Sequence, residues 1–167
     1  MRIFSTGLAS ALVLTLALSM AEAAGWRTYV NPRFGATAEV PSGWKAGEEP
    51  ANGDGLDFTS PDGNAVIAVY GGLNISDTVA EAIADQATPN DGETITYTHT
   101  DPHSVVVSGT KGGRIFYRKS ILVCRDQIWD SVSLEYPAAE KRAYDAIVTH
   151  VAGSLRAGQS AQIPDCR

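Results

Sequence analysis

The sequence predicts an α+β fold: an antiparallel sheet of about six to eight strands with two main helices packed on it. Three observations carry this. From Trp26 to Tyr70, short apolar-polar alternations are cut by turn residues, at Asn31-Pro32, Pro41-Ser42-Gly43, Asn52-Gly53-Asp54-Gly55 and Pro61-Asp62-Gly63-Asn64. Two segments, after Thr78 and after Pro137, switch to helical spacing. Late in the chain, two long strand-like runs adjoin around Arg125-Asp126, close enough to pair as a hairpin.

The first element is not part of the sheet. One positive charge at Arg2, an apolar run from Leu8 to Leu18 and the small-residue site Ala21-Glu22-Ala23 make residues 1–23 a cleavable secretory signal peptide. The apolar run is shorter than the roughly 20 residues that cross a bilayer, so no stable membrane anchor is expected. Residues 24–167 then form a single domain with a C-terminal tail, of ordinary size for one core. Candidate strands follow at 34–40, 56–60 and 64–71. The last, Ala65-Val66-Ile67-Ala68-Val69-Tyr70, is apolar on both faces and therefore predicted to be central.

Thr78-Val79-Ala80-Glu81 is a capping-box pattern, in which the Thr hydroxyl and the Glu carboxylate each satisfy a free backbone N–H of the first turn. The repeat of Val79, Ala80, Ile83, Ala84 and Ala87 predicts a short amphipathic helix. Strands resume at 94–100, 104–109, 114–124 and 127–136. In the last, Ile128, Val132, Leu134 and Tyr136 face one way and Gln127, Ser131, Ser133 and Glu135 the other, so one face is expected to be buried and one polar. Pro137 then opens a helix whose apolar stripe is Tyr144, Ile147, Val148, Val151, Ala152 and Leu155, with Gly158 as its stop.

Net charge is −6, and it is unchanged on loss of the signal because Arg2 and Glu22 leave together. This disfavours nucleic acid and anionic lipid as partners, since both reward Lys and Arg. In an exported chain, Cys124 and Cys166 read as one disulfide, because the compartment is oxidising and an unpaired exposed thiol is a liability. The alternative is two free or intermolecular thiols.

Motifs that carry chemistry are missing. There is no Gly-x-Ser-x-Gly elbow, no dinucleotide or phosphate-binding glycine loop and no His-Glu-x-x-His helix, so no catalytic residue and no cofactor is assigned. The weak metal candidates are His99, Asp101 and His103, ligand-type side chains at alternate positions that would share one face of a regular strand. Pro102 argues against such a strand, and a polar hairpin tip is the simpler reading. The acidic turns with Glu48, Glu49, Asp54, Asp57 and Asp62 contain oxygen ligands suited to calcium but not the spacing of an EF-hand loop, and turn formation accounts for them. His150 is placed on the polar side of the last helix, in solvent. Trp129 is a weak binding candidate: it falls on the polar side of its strand, where it is either covered by a helix or exposed as a binding surface, and a sheet covered on both faces favours the former.

Several groups of residues together resemble the exported bacterial members of the PsbP-like α/β/α sandwich superfamily. These are Trp26-x-x-Tyr29-x-Asn31-x-Arg33-Phe34-Gly35, Val40-Pro41-x-Gly43-Trp44, Gly53-Asp54-Gly55-x-x-Phe58-x-Ser60-x-Asp62-Gly63, and Tyr136-Pro137 before a helix with Tyr144 and Ile147-Val148. The resemblance implies a central antiparallel sheet between helices and a non-catalytic role as assembly factor, adaptor or binding protein. Some relatives are lipoproteins; this sequence departs from them in lacking a Cys at the cleavage region. The expected function is that of a periplasmic accessory or binding protein, not an enzyme, with an unknown protein or small molecule as ligand. The alternatives are an envelope immunity or adaptor protein whose acidic surface suits a basic client, and a metal-dependent hydrolase using His99, Asp101 and His103.

Overall fold

The computed structural model describes residues 25–163, 165 and 166; the signal-peptide reading of residues 1–23 lies outside them. Nine strands and two helices follow in the order β1 (Trp26–Val30), β2 (Thr37–Pro41), β3 (Lys45–Ala46), β4 (Gly55–Thr59), β5 (Val66–Leu73), α1 (Val79–Gln86), β6 (Thr94–Asp101), β7 (Ser104–Lys111), β8 (Arg114–Val123), β9 (Ile128–Pro137) and α2 (Lys141–Ser154). β1 and β2 form a separate hairpin, and the other strands make one seven-stranded antiparallel sheet in the order β3-β4-β5-β9-β8-β7-β6. The α+β architecture predicted from turn punctuation and helical spacing is therefore the one observed.

Directly paired residues of antiparallel strands share a face, so register sorts the two sides of the sheet. On one side, Phe58, Ile67, Val69, Val132, Leu134 and Tyr136 pack under α2 and the β1–β2 hairpin, which contribute Tyr144, Val151, Leu155, Ala38 and Val40. On the other, Val105, Val107, Phe116, Leu122 and Trp129 pack under α1 through Ala82, Val79 and Ile83. The capping box of α1 forms as expected: Glu81 N–H donates to the Thr78 hydroxyl, and Thr78 N–H donates to the Glu81 carboxylate at 3.0 Å. Beside α1, Arg118 Nη1 donates to both carboxylate oxygens of Glu93 at 2.6 Å. Burial works to raise the Glu93 pKa, but the guanidinium and the Asn90 N–H outweigh it and hold the carboxyl below its ordinary value.

Several boundaries differ from expectation. The strand expected at 34–40 begins at Thr37, because residues 31–36 fold into a turn in which the fully buried Asn31 accepts from Phe34 N–H at 2.7 Å and donates to Gly53 C=O at 2.8 Å. Trp26–Val30, outside every predicted strand, extends as β1 by pairing with β2. Pro137 ends β9; a 3-10 turn over Ala138–Glu140 precedes α2, which stops at Ser154 when Leu155 becomes extended. Gly158 instead packs against the turn at Gly35, whose φ of 98° suits a residue without Cβ. β9 is not polar on one face: Trp129 and Ser131 are buried along with Ile128, Asp130 and Val132, because α1 roofs that side.

Phe34 reaches down from the 31–36 turn onto Gly71 of β5, so closely that a Cβ at residue 71 would overlap the phenyl group. Gly71→Ala is expected to cost roughly 1–3 kcal/mol through overpacking, read as a lowered urea midpoint; an unchanged midpoint would refute this contact.

Candidate functional site

α2 packs on β9 and β8 and against β2 but leaves the faces of β7 and β6 open, and the step between helix and sheet is a groove of about 440 Å³. Its lining follows from register: His99 pairs with Val106, Asp101 with Ser104, and Val106 with Lys119, which puts all five on the α2 side of adjacent strands. Tyr117 and Lys119 form the floor, and Val148, Thr149, Ala152 and Gly153 form the helical wall.

The charged groups are held. His99 Nε2 lies 3.4 Å from Asp101 Oδ2, and Lys119 Nζ donates at 2.8 Å to the carbonyl of Ala152 in the last turn of α2, where the helix dipole favours a cation. Burial, with the neighbouring Tyr97 phenol, pushes the Tyr117 pKa up and keeps it a neutral hydroxyl. An imidazole-carboxylate pair, an ammonium, hydroxyls of Ser104, Thr149 and Tyr117, and an apolar patch from Val106, Val148 and Ala152 can receive a molecule with both polar and apolar parts.

Two of the three residues predicted to cluster thus meet in the groove, and the third does not. Pro102 and His103 form a turn, so His103 leaves the strand alternation and lies 3.2 Å from Asp126 in the β8–β9 hairpin. Among the described residues, no three His, Cys, Asp or Glu side chains converge as metal ligands. The acidic turns do not form one cluster: Asp54 pairs with Arg33 at 2.5 Å, and Asp62 accepts from Ser60 Oγ at 2.5 Å and from Asn64 N–H at 3.1 Å. Glu48, Asp54 and Asp57 border a smaller cavity of about 280 Å³ beside Tyr70, while Glu49 is exposed.

Trp129 is only 6% exposed and belongs to the core beneath α1, not to an open binding surface. His150 is not free in solvent. Its Nε2 lies 2.6 Å from Glu39 Oε2, and its ring stacks on Trp26 with centroids 3.6 Å apart, which fastens α2 to the β1–β2 hairpin. Cys124 and Cys166 stand at disulfide distance, Cα to Cα 4.9 Å.

Sequence reasoning missed two residues. Lys119 carried no motif, and its position became meaningful only once α2 was seen to end above it. Asp130 carried a signal that the alternation Ile128-x-Asp130-x-Val132 already contained, a carboxylate on the apolar face. It is 0% exposed, its two oxygens have no hydrogen-bond partner among the described residues, and burial pushes its pKa up to about 7.

No helix among the described residues is long and apolar enough to cross a membrane. No family model matches the sequence, and no curated protein matches it. Among solved structures, the chain is similar to cyanobacterial PsbP (CyanoP) from Synechocystis sp. PCC 6803, at 14% identity and a TM-score of 0.60, over 84% of this chain and 97% of that one. It is also similar to LpqN of Mycobacterium tuberculosis, described as involved in cell envelope biogenesis, at 11% identity and a TM-score of 0.52, over 80% of this chain and 91% of that one. At these identities the likeness is one of fold, and the fold is PsbP-like.

Proposed function

We propose that this PsbP-like chain is an exported accessory protein that acts by binding, without catalysis, and that its ligand enters the groove between α2 and β6–β8. Residues 1–23 direct export, and residues 24–167 work in the periplasm or outside the cell as one domain. The groove carries the reading. It draws a cation, an imidazole-carboxylate pair and an apolar patch from four elements into one concave site, the usual composition of a site for a small molecule or a peptide side chain. Further support comes from the cysteine pair at disulfide distance, which suits an oxidising compartment, and from the envelope role described for LpqN, which has the same fold.

Gly153 offers the test. It lines the groove, and a Cβ placed on it meets no atom within 4 Å. Gly153→Gln therefore fills the groove without a clash and replaces a poor helix former with a better one, so its own melting temperature should hold or rise. A periplasmic partner that co-purifies with the wild type, or a small molecule that raises the wild-type melting temperature, should be lost on Gly153→Gln. Equal retention of that component by both proteins would remove the groove from the function.

A further inference from the structure

β6 is the last strand of the seven-stranded sheet, and all of it except Ile95 is exposed. An uncovered edge is a template for another strand, which proteins usually blunt with a bulge, a proline or a lysine. Here a bulge at Thr96, between the pairs of Ile95 and Tyr97, stands at one end and Pro102 follows at the other. Between them, Tyr97–Asp101 pairs regularly with β7 and contains neither Lys nor Pro.

Backbone direction can be read off the hydrogen bonds. Leu122 N–H donates to His103 C=O, so odd-numbered residues at the start of β7 bond to β8 and even-numbered ones to β6. His99 opposite Val106 and Asp101 opposite Ser104 therefore turn their backbone groups inward. Those of Thr98 and Thr100 point out of the sheet.

A two-fold axis through His99 fits this edge to itself. It brings Thr98 of one copy opposite Thr100 of the other, twice, so the outward N–H and C=O groups close four hydrogen bonds and the Thr side chains pair on one face. The bulge at Thr96 then faces Pro102, so pairing ends on both sides at the same place. No carboxylate meets a carboxylate, because Asp101 faces Tyr97 of the second copy. We propose that the protein forms this two-fold dimer through β6, with Tyr97 of each copy standing beside Asp101 at the mouth of the other's groove. The occupant is a second copy because the register and both ends of the regular segment match under a single axis, with no carboxylate set against another.

Sedimentation equilibrium of the mature protein without ligand tests the dimer independently of the groove reading. The wild type should show reversible doubling of mass in the micromolar range, as expected for a small interface. Thr98→Pro removes an outward N–H that the monomer does not use, so the fold tolerates it while each dimer loses two hydrogen bonds; association should weaken roughly tenfold or more. His99→Glu sets two carboxylates against each other on the axis with the strand otherwise intact, and should give a monomer even if Thr98→Pro fails to fold. Gly153→Gln should dimerise like the wild type. A wild type that stays monomeric at high micromolar concentration, or a dimer that survives His99→Glu unchanged, overturns the proposal.

Discussion

Between pH 4 and pH 7 the wild type should lose about 4 kcal/mol of stability relative to Asp130→Asn, with the difference levelling off above neutrality. Asp130 is fully buried, both carboxyl oxygens lack a partner among the described residues, and its pKa is pushed up to about 7 by burial. Across the sheet it faces Gly71 of β5 and Ile121 of β8, and Phe34 packs over Gly71, so none of its direct neighbours offers a donor. The nearest cation in register on that face is Lys119, whose ammonium is taken by the Ala152 carbonyl. In the unfolded chain the same carboxyl titrates near 3.9. Between these values the folded state holds a proton that the unfolded state has released, so stability falls as pH rises. Below pH 4 both states are protonated; above about 7 both are charged and the slope ends. Asn cannot titrate, and the opposite pH dependence of groups with lowered pKa, such as Glu93 and Asp62, is common to both proteins and cancels in the difference. Chemical-denaturant midpoints at several pH values provide the measurement. Parallel curves for the two proteins would mean that Asp130 is hydrated or partnered in solution.

Replacing both Cys124 and Cys166 with Ala should lower stability by about 4 kcal/mol, the loop-closure value for a bridge across 42 residues. Apart from the bridge, the tail is held on the 31–36 turn by Ser160 Oγ and Gln162 N–H on the Arg33 carbonyl, at 2.9 Å each, by Ala161 N–H on the Pro32 carbonyl and Arg33 Nε on Gln162 Oε1, and by the Gly35–Gly158 approach. Cys166 itself packs with Phe34 and Ile128, so release of the tail also uncovers the end of the sheet under the 31–36 turn. The thiol count supplies a direct check: protein isolated without reductant and then unfolded should bind no thiol reagent. Two equivalents bound would refute the bridge and leave only a contact between two side chains.

Local signals were strong wherever one short segment satisfied itself. The capping box at Thr78 and Glu81 forms because its donors and acceptors lie three residues apart, and the long runs at 114–124 and 127–136 pair because a short connection leaves them little else to do. That connection carries no Asn-Gly or Gly signature; Cys124, Arg125 and Asp126 adopt positive φ instead, a conformation disfavoured for residues with a Cβ, so strand pairing and not turn chemistry imposes it. The boundary errors at 34–40 and at Pro137–Gly158 came where a segment's hydrogen bonds go to distant partners: Asn31 to Gly53, and Arg156 to Thr37.

The antiparallel α+β plan follows from residue order, because alternation and helical period are properties of neighbours along the chain, and the pairing of the two cysteines in the sequence could be named from it as well. The groove and the buried charge do not. Lys119 and His99 meet because three strands align in register and α2 ends above them, and Trp129 is core because α1 lies over it. Which side of a strand is wet depends on what covers it, and the cover comes from residues tens of positions away. Asp130 lies between these cases: its place on the apolar face could be read from the alternation, but the missing partner that raises its pKa exists only in the packed core.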